Sequence, residues 1–322
     1  MKKILFASLL AFSSVVMADY KIMFSNSNVK IPESLEPKPY GLNENGVTVE
    51  CFGMEEGATF VLNGKSYKVV YNKIDAHDNY DIACTSNVTD LSEVFSVNAD
   101  FASEDYTDFN GDVSHWDTSN VTDMSYAFQG LDSFNQPIGK WNTSNVTTME
   151  SMFDYAGSFN QDISDWDVSK VTNFHRMFYG PPMPFNQPIG KWEISSAVDL
   201  SYMLKGARNF NQPLNDWDVS NVENMTGLFS GPINFNQPLY KWDVSNVKDM
   251  DFMFTGARAF NQNISGWDVS NVSSMWYMFS NAESFNQNLS RWCVRKITSE
   301  PNRFSNNATS WSLPKPDWGT CP

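Results

Sequence analysis

Histidine is nearly absent from this 322-residue chain: His77, His115 and His175 are scattered, and no Ser/His/Asp or Cys/His arrangement accompanies them. That removes the usual apparatus of nucleophilic catalysis and most zinc chemistry. No GxGxxG, phosphate-loop or HExxH motif is present either, so no cofactor and no enzyme activity are expected. Basic residues are scarce, 22 Lys plus Arg against 37 Asp plus Glu, for a formal charge of −15. A field of that sign repels nucleic acid and anionic membranes, which excludes a nucleic-acid partner. Long hydrophobic runs are confined to Ile4 through Val16, and no later segment reaches membrane-spanning length, so no membrane insertion is expected.

That one apolar run has a specific reading. Lys2 and Lys3 precede it and Ala18 closes it, the pattern of a secretory signal peptide spanning residues 1–18. A lipidated N-terminus would need a cysteine just after the cleavage point, but the first is Cys51. The expectation is an exported, soluble chain, secreted or at the cell surface, with the periplasm as a further location. Removing the signal leaves 20 basic against 37 acidic residues, a formal charge of −17.

Cysteine is also sparse. Cys51, Cys84, Cys293 and Cys321 are an even set in an exported chain, and the local connectivity, Cys51 with Cys84 and Cys293 with Cys321, closes short loops at the two ends. The CxxC spacing of a structural zinc site is missing, which favours two disulfides.

Aromatic residues, at 15%, are what the chain has in quantity. Trp116, Trp141, Trp166, Trp192, Trp217, Trp242, Trp267 and Trp292 recur every 25 residues, with one step of 26. A Phe-Asn pair stands seven residues before each, at Phe109, Phe134, Phe159, Phe185, Phe210, Phe235, Phe260 and Phe285. A fixed period of this size marks a stack of similar coils, in which each unit buries its apolar face only against its neighbours. The step of 26 reflects one extra residue within Tyr179–Pro184, placed in a loop.

Within a unit, Leu239, Trp242 and Val244 suit a short extended segment. Val247, Met250, Met253 and Phe254 fall at relative positions 0, 3, 6 and 7, which predicts a helix of two to three turns capped by Ser245 and Asn246. The fold class expected is therefore α/β, a solenoid of short strands and short helices over residues 83–310. A small β-rich cap is expected at 19–82, with strands at Val47–Cys51 and Thr59–Val70 turned at Asn63-Gly64, and a C-terminal cap tail at 311–322.

Repetition also sorts the candidate site residues. The acid beside the tryptophan (Asp117, Asp167, Glu193, Asp218, Asp243, Asp268) is expected to accept backbone amides at the turn into the helix; a ladder of Ca2+ sites is the less favoured reading, because no DxDxDG loop is present. The column Asn160, Asn186, Asn211, Asn236 and Asn261 is expected to satisfy backbone groups, and the histidines are expected to be solvated. Binding would be written in variable positions instead. Two residues past the methionine, on the far side of the expected helix, stand Tyr126, Ser151, Arg176, Tyr202, Gly227, Phe252 and Tyr277, with Trp276 beside the last. Tyr126, Arg176, Tyr202, Phe252, Trp276 and Tyr277 are residue types that dominate protein recognition and stack on sugars. Packing of these side chains against one another at the same slot is the competing reading.

The unit F-N-Q-x-[IL]-x-x-W-D-V-S-N-V-x-x-M-x-x-M-F resembles the repeat of the BspA-like leucine-rich-repeat surface proteins over about residues 83–304. The Gly64-Lys65-Ser66-Tyr67 hairpin and Cys51/Cys84 are similar to the head that often precedes such repeats. The resemblance implies a leucine-rich-repeat-like solenoid, export or surface display, and adhesion to matrix proteins; with the aromatic slot residues, the expectation is non-enzymatic binding to a protein or carbohydrate on a cell or matrix surface. The alternative is a structural or assembly protein of the cell envelope without a specific ligand.

Overall fold

The computed structural model describes residues 39–73, 80–96 and 108–322; the expected signal peptide and His77 lie outside them. The described residues open with a two-stranded antiparallel ribbon, β1 (Gly41–Leu42) with β2 (Val49–Glu50). A three-stranded sheet follows, β3 (Thr59–Leu62), β4 (Lys65–Lys73) and β5 (Ala83–Asp90), in the order β3-β4-β5. Asn63 and Gly64 turn the β3-β4 hairpin at φ of 52° and 82°, the double left-handed geometry for which Asn-Gly is suited. Strand β5 runs parallel to β4, and its last residue, Asp90, bridges Asp123, which ties the N-terminal sheet to the repeat.

From Asp90 onward the coils are joined by single parallel bridges, Asp90 to Asp123, Asp123 to Thr148, and so on to Asp249 with Ser274. The expected helices are not there: among the described residues the only helical pieces are two single 3-10 turns, Tyr80–Ile82 and Ile189–Lys191. The α/β solenoid is thus corrected to a stack of coils built almost wholly from turns and isolated bridges.

The hydrogen bonds of one coil give the reason. The amides of Met250, Phe252, Phe254 and Gly256 donate to Ser274, Trp276, Met278 and Ser280 of the next coil, while those of Met253, Thr255 and Ala257 donate three residues back. An apolar spacing of three serves consecutive i to i+3 turns as well as it serves a helix. A lone helix of two turns is marginal in water; turns that spend every second amide on the neighbouring coil tie each unit into the stack. The turns demand a left-handed residue at their third position, as in type II geometry. Glu93, Tyr126, Ser151, Arg176, Tyr202, Phe252, Tyr277 and Arg303 all hold it, with φ between 51° and 58°, and Gly227 holds it at 59°. Left-handed φ is costly for a β-branched side chain. Tyr277→Ile is therefore expected to lose about 1–2 kcal/mol relative to Tyr277→Gly in urea denaturation, whereas a helix would rank them the other way.

The core is made of aromatic columns. Trp217, Trp242 and Trp267 stack at 6.4 and 6.2 Å between centroids, and each Phe-Asn phenylalanine lies on the next at about the same spacing. From Trp141 to Trp292 each repeat indole N–H donates to the carbonyl three residues before the preceding tryptophan, as from Trp242 Nε1 to Leu214 at 2.8 Å and from Trp267 to Leu239 at 3.0 Å. At both ends the rings turn edge-on: Tyr80 meets Phe95 and Phe109 at 80°, and Trp311 and Trp318 meet Phe285 and Phe304 at 83° and 86°. An edge closes an aromatic column that a face would continue. The tail folds over the last coil through Val294 N–H to Thr320 and Gly319 N–H to Ile297. Disulfides Cys51–Cys84 and Cys293–Cys321 join the expected partners.

Candidate functional site

The repeated polar columns are occupied with their own backbone. Asp167, Asp218, Asp243 and Asp268 each accept the amide of the serine two residues on, at 3.0 Å. Side-chain and backbone hydrogen bonds from Ser169, Ser220 and Ser270 hold the carboxyls of Asp167, Asp218 and Asp268 below their ordinary range, so the charged form is the one being satisfied. The role expected of these acids is present, but at a turn in place of a helix start. In the asparagine column each side-chain oxygen accepts the amide of the next asparagine, as Asn211 does from Asn236 at 3.0 Å, so the bond runs between coils rather than within one. Among the described residues no three His, Cys, Asp or Glu side chains converge on a point where a metal could sit.

Two histidines depart from expectation. His115 is 9% exposed and packs against Tyr67 at the junction of sheet and repeat; burial pushes its imidazole down to about 4. His175 is half-buried, its Nδ1 2.6 Å from Ser201 Oγ.

The variable slot forms a column on the left-handed turn, with Ser151 buried and Tyr126, Arg176, Tyr202, Phe252 and Tyr277 half-buried, because the coil-to-coil hydrogen bonds bring each slot beside the next. Its residues divide into two groups. Phe252 stacks on Tyr277 at 5.0 Å and Arg303 lies 5.5 Å over Tyr277, so here the column packs on itself, while the adjacent Trp276 stays 54% exposed. Tyr202 lies over Gly227, where an added Cβ would come within 2.3 Å of the Tyr202 ring; glycine at this slot makes room for the phenol as well as supplying the φ.

The second group centres on Arg176. Its guanidinium pairs with Asp154 at 3.0 Å and lies 3.8 Å over the ring of Tyr179. Lys205 stands 4.4 Å over the same ring and donates to the Tyr179 hydroxyl at 3.1 Å. Tyr155 and Tyr202 flank Tyr179 at 6.0 and 6.1 Å. The Asp154 side chain is 1% exposed, and its burial pushes the carboxyl up to about 6 despite Arg176 and Lys205. Tyr126, one coil away, donates its hydroxyl to Glu150; burial together with this bond pushes the phenol up to about 12.

Tyr126, Arg176, Tyr202, Phe252, Trp276 and Tyr277 therefore all lie on one wall of the stack. Asp154, Tyr155, Tyr179 and Lys205 were not anticipated from the sequence. A signal existed for Tyr155 alone, which stands where Gly130, Gly180, Gly206, Gly231, Gly256 and Asn281 stand in other tryptophan coils.

A family model described as Mycoplasma protein of unknown function, DUF285, matches residues 66–179, 98–217 and 199–318 in three overlapping copies. Together these span most of the chain, and the protein belongs to that repeat family. No curated protein and no solved structure matches it.

Proposed function

We propose that this chain is an exported, non-catalytic binding protein of the BspA-like kind, which adheres to a protein or carbohydrate on a cell or matrix surface. The observation that carries the reading is the division of labour along the coil. Ring columns and hydrogen-bonded asparagine and aspartate columns repeat with little change, while the left-handed wall varies and presents Tyr, Trp, Phe and Arg. Those side chains bring large contact area with few rotatable bonds, so ordering them on a partner costs little entropy. Two disulfides in so small a set of cysteines suit an oxidising compartment, in keeping with export.

The test compares two variants of the mature chain for retention on cells and on immobilised matrix. Tyr155→Gly combined with Trp276→Ser removes exposed rings from the wall and is expected to reduce retention at least tenfold, a loss of about 1.4 kcal/mol or more. Tyr240→Ser removes a ring that is 66% exposed but lies outside the wall, and is expected to change nothing. Equal retention by both variants sinks the proposal. Light scattering that finds a stable monomer excludes the assembly alternative.

A further inference from the structure

We propose that the wall around Arg176 is a subsite for a glycan that ends in a single carboxylated sugar. The inference rests on the binding reading above and narrows its ligand. Three consecutive coils depart from the repeat at this one place, and the chain's one inserted residue, within Tyr179–Pro184, falls beside them.

The first departure is Tyr155. It holds φ of 59° in a position that glycine or asparagine occupies in the other tryptophan coils, and its ring is still 49% exposed. A half-exposed ring in a left-handed conformation costs strain that glycine at the same turn would avoid, and such strain gathers where a ligand is gripped. The second departure is charge. Arg176 and Lys205 share the ring of Tyr179, and among the described residues only one carboxylate, Asp154, forms an ion pair there. Two cations thus stand together in a chain of −15, with Glu150 and Asp251 bordering them at Tyr126 and Tyr202. The third is an incompletely satisfied ion pair: Nε of Arg176 and Oδ1 of Asp154 are both buried with no hydrogen-bond partner among the described residues.

These features select the ligand. Two cations fixed on a phenol ring offer charge-assisted donors to one carboxylate. The half-exposed ring of Tyr155 offers a flat face to the C–H face of a pyranose, while Tyr202, packed over Gly227 with Lys205 above it, borders the subsite. The acidic chain repels any polyanion at a distance, so the anion is a lone group on an otherwise neutral scaffold. A terminal acidic sugar has that composition.

The experiment titrates the mature chain with 3′-sialyllactose, with lactose, and with an acetylated, glutamate-containing tetrapeptide, following ligand signals by saturation-transfer NMR and affinity by calorimetry. Sialyllactose is expected to bind at least roughly tenfold more tightly than either control. Lys205→Gln is expected to weaken it roughly tenfold with an unchanged melting temperature. Tyr155→Gly separates a ligand role from a structural one: it is expected to raise the melting temperature, by relieving strain, and to weaken sugar binding. Lactose or the peptide binding as tightly as sialyllactose, no binding of sialyllactose by the folded chain, or Tyr155→Gly binding as the parent does would each overturn the inference. Adhesion that survives enzymatic removal of terminal acidic sugars from the target cells would overturn it too, while leaving the adhesion reading intact.

Discussion

Trp242→Ala is expected to destabilise the protein by about 3–5 kcal/mol from the lost ring alone. The indole is 3% exposed and lies between Trp217 and Trp267, with Phe229 at 6.0 Å. Removing it leaves a gap that the neighbouring rings cannot fill, because their spacing is set by the backbone bonds between coils. The variant also orphans the Leu214 carbonyl, which accepts from Trp242 Nε1; an unmet buried acceptor costs about another 1–3 kcal/mol. Because each coil touches only its neighbours, the damage is an interface loss in mid-stack, and the two halves are expected to melt separately. Chemical denaturation followed by tryptophan fluorescence should show a broadened or two-step transition. A single sharp transition at the parental midpoint would mean that the tryptophan column is not what couples the coils.

Cys293→Ser is expected to cost roughly 3.5 kcal/mol on a chain-entropy reckoning for a loop of 28 residues, but only at one end. The bridge holds the tail whose Trp311 and Trp318 close the aromatic column against Phe279, Phe285 and Phe304. Without it the tail can lift away and expose the faces of those rings. Hydrogen exchange is expected to speed at Val294, Ile297 and Phe304, while amides such as Tyr126, Phe153 and Phe178, buried in the middle of the ladder, keep their protection. Uniform acceleration along the chain would show that the stack is one cooperative unit; no change at Val294 would show that the tail holds itself.

How much of the molecule was legible in the residues depends on which bond type carried each feature. Tryptophan and phenylalanine announced the stack because rings recurring at a fixed period of this length can all be buried only when coil lies on coil, and the cysteines marked the ends because their local pairing closes short loops on either side of the repeats. The hairpin at Asn63-Gly64 was legible because few dipeptides suit two successive left-handed residues. The helix was misread for a physical reason: Val247, Met250, Met253 and Phe254 satisfy the spacing of a helix and of consecutive turns equally. The choice is made by where the amides of Met250, Phe252 and Phe254 go, which is to another coil and is not written locally. The left-handed slot was hidden because tyrosine, arginine and phenylalanine are unusual there, and Gly227 alone hinted at it. The binding wall was half legible. Its slot residues stood out by variation, whereas Asp154, Tyr179 and Lys205 sit three residues further on and became visible only when the turns replaced the helix and placed them beside Arg176.

The ladder of bonds from coil to coil has a mechanical meaning. Tension applied between the two ends of the molecule runs along the stack and falls on the handful of amide bonds that join one coil to the next, as from Phe252, Phe254 and Gly256. When one such set gives way, only one coil pays out, releasing 25 residues of slack, on the order of 80 Å when extended. The remaining coils stay shut. A chain tethered at one end and gripping a surface with its wall would lengthen in steps under shear, dissipating work at each step, and would let the grip outlast a pull that a rigid rod would pass straight to the bond with its ligand.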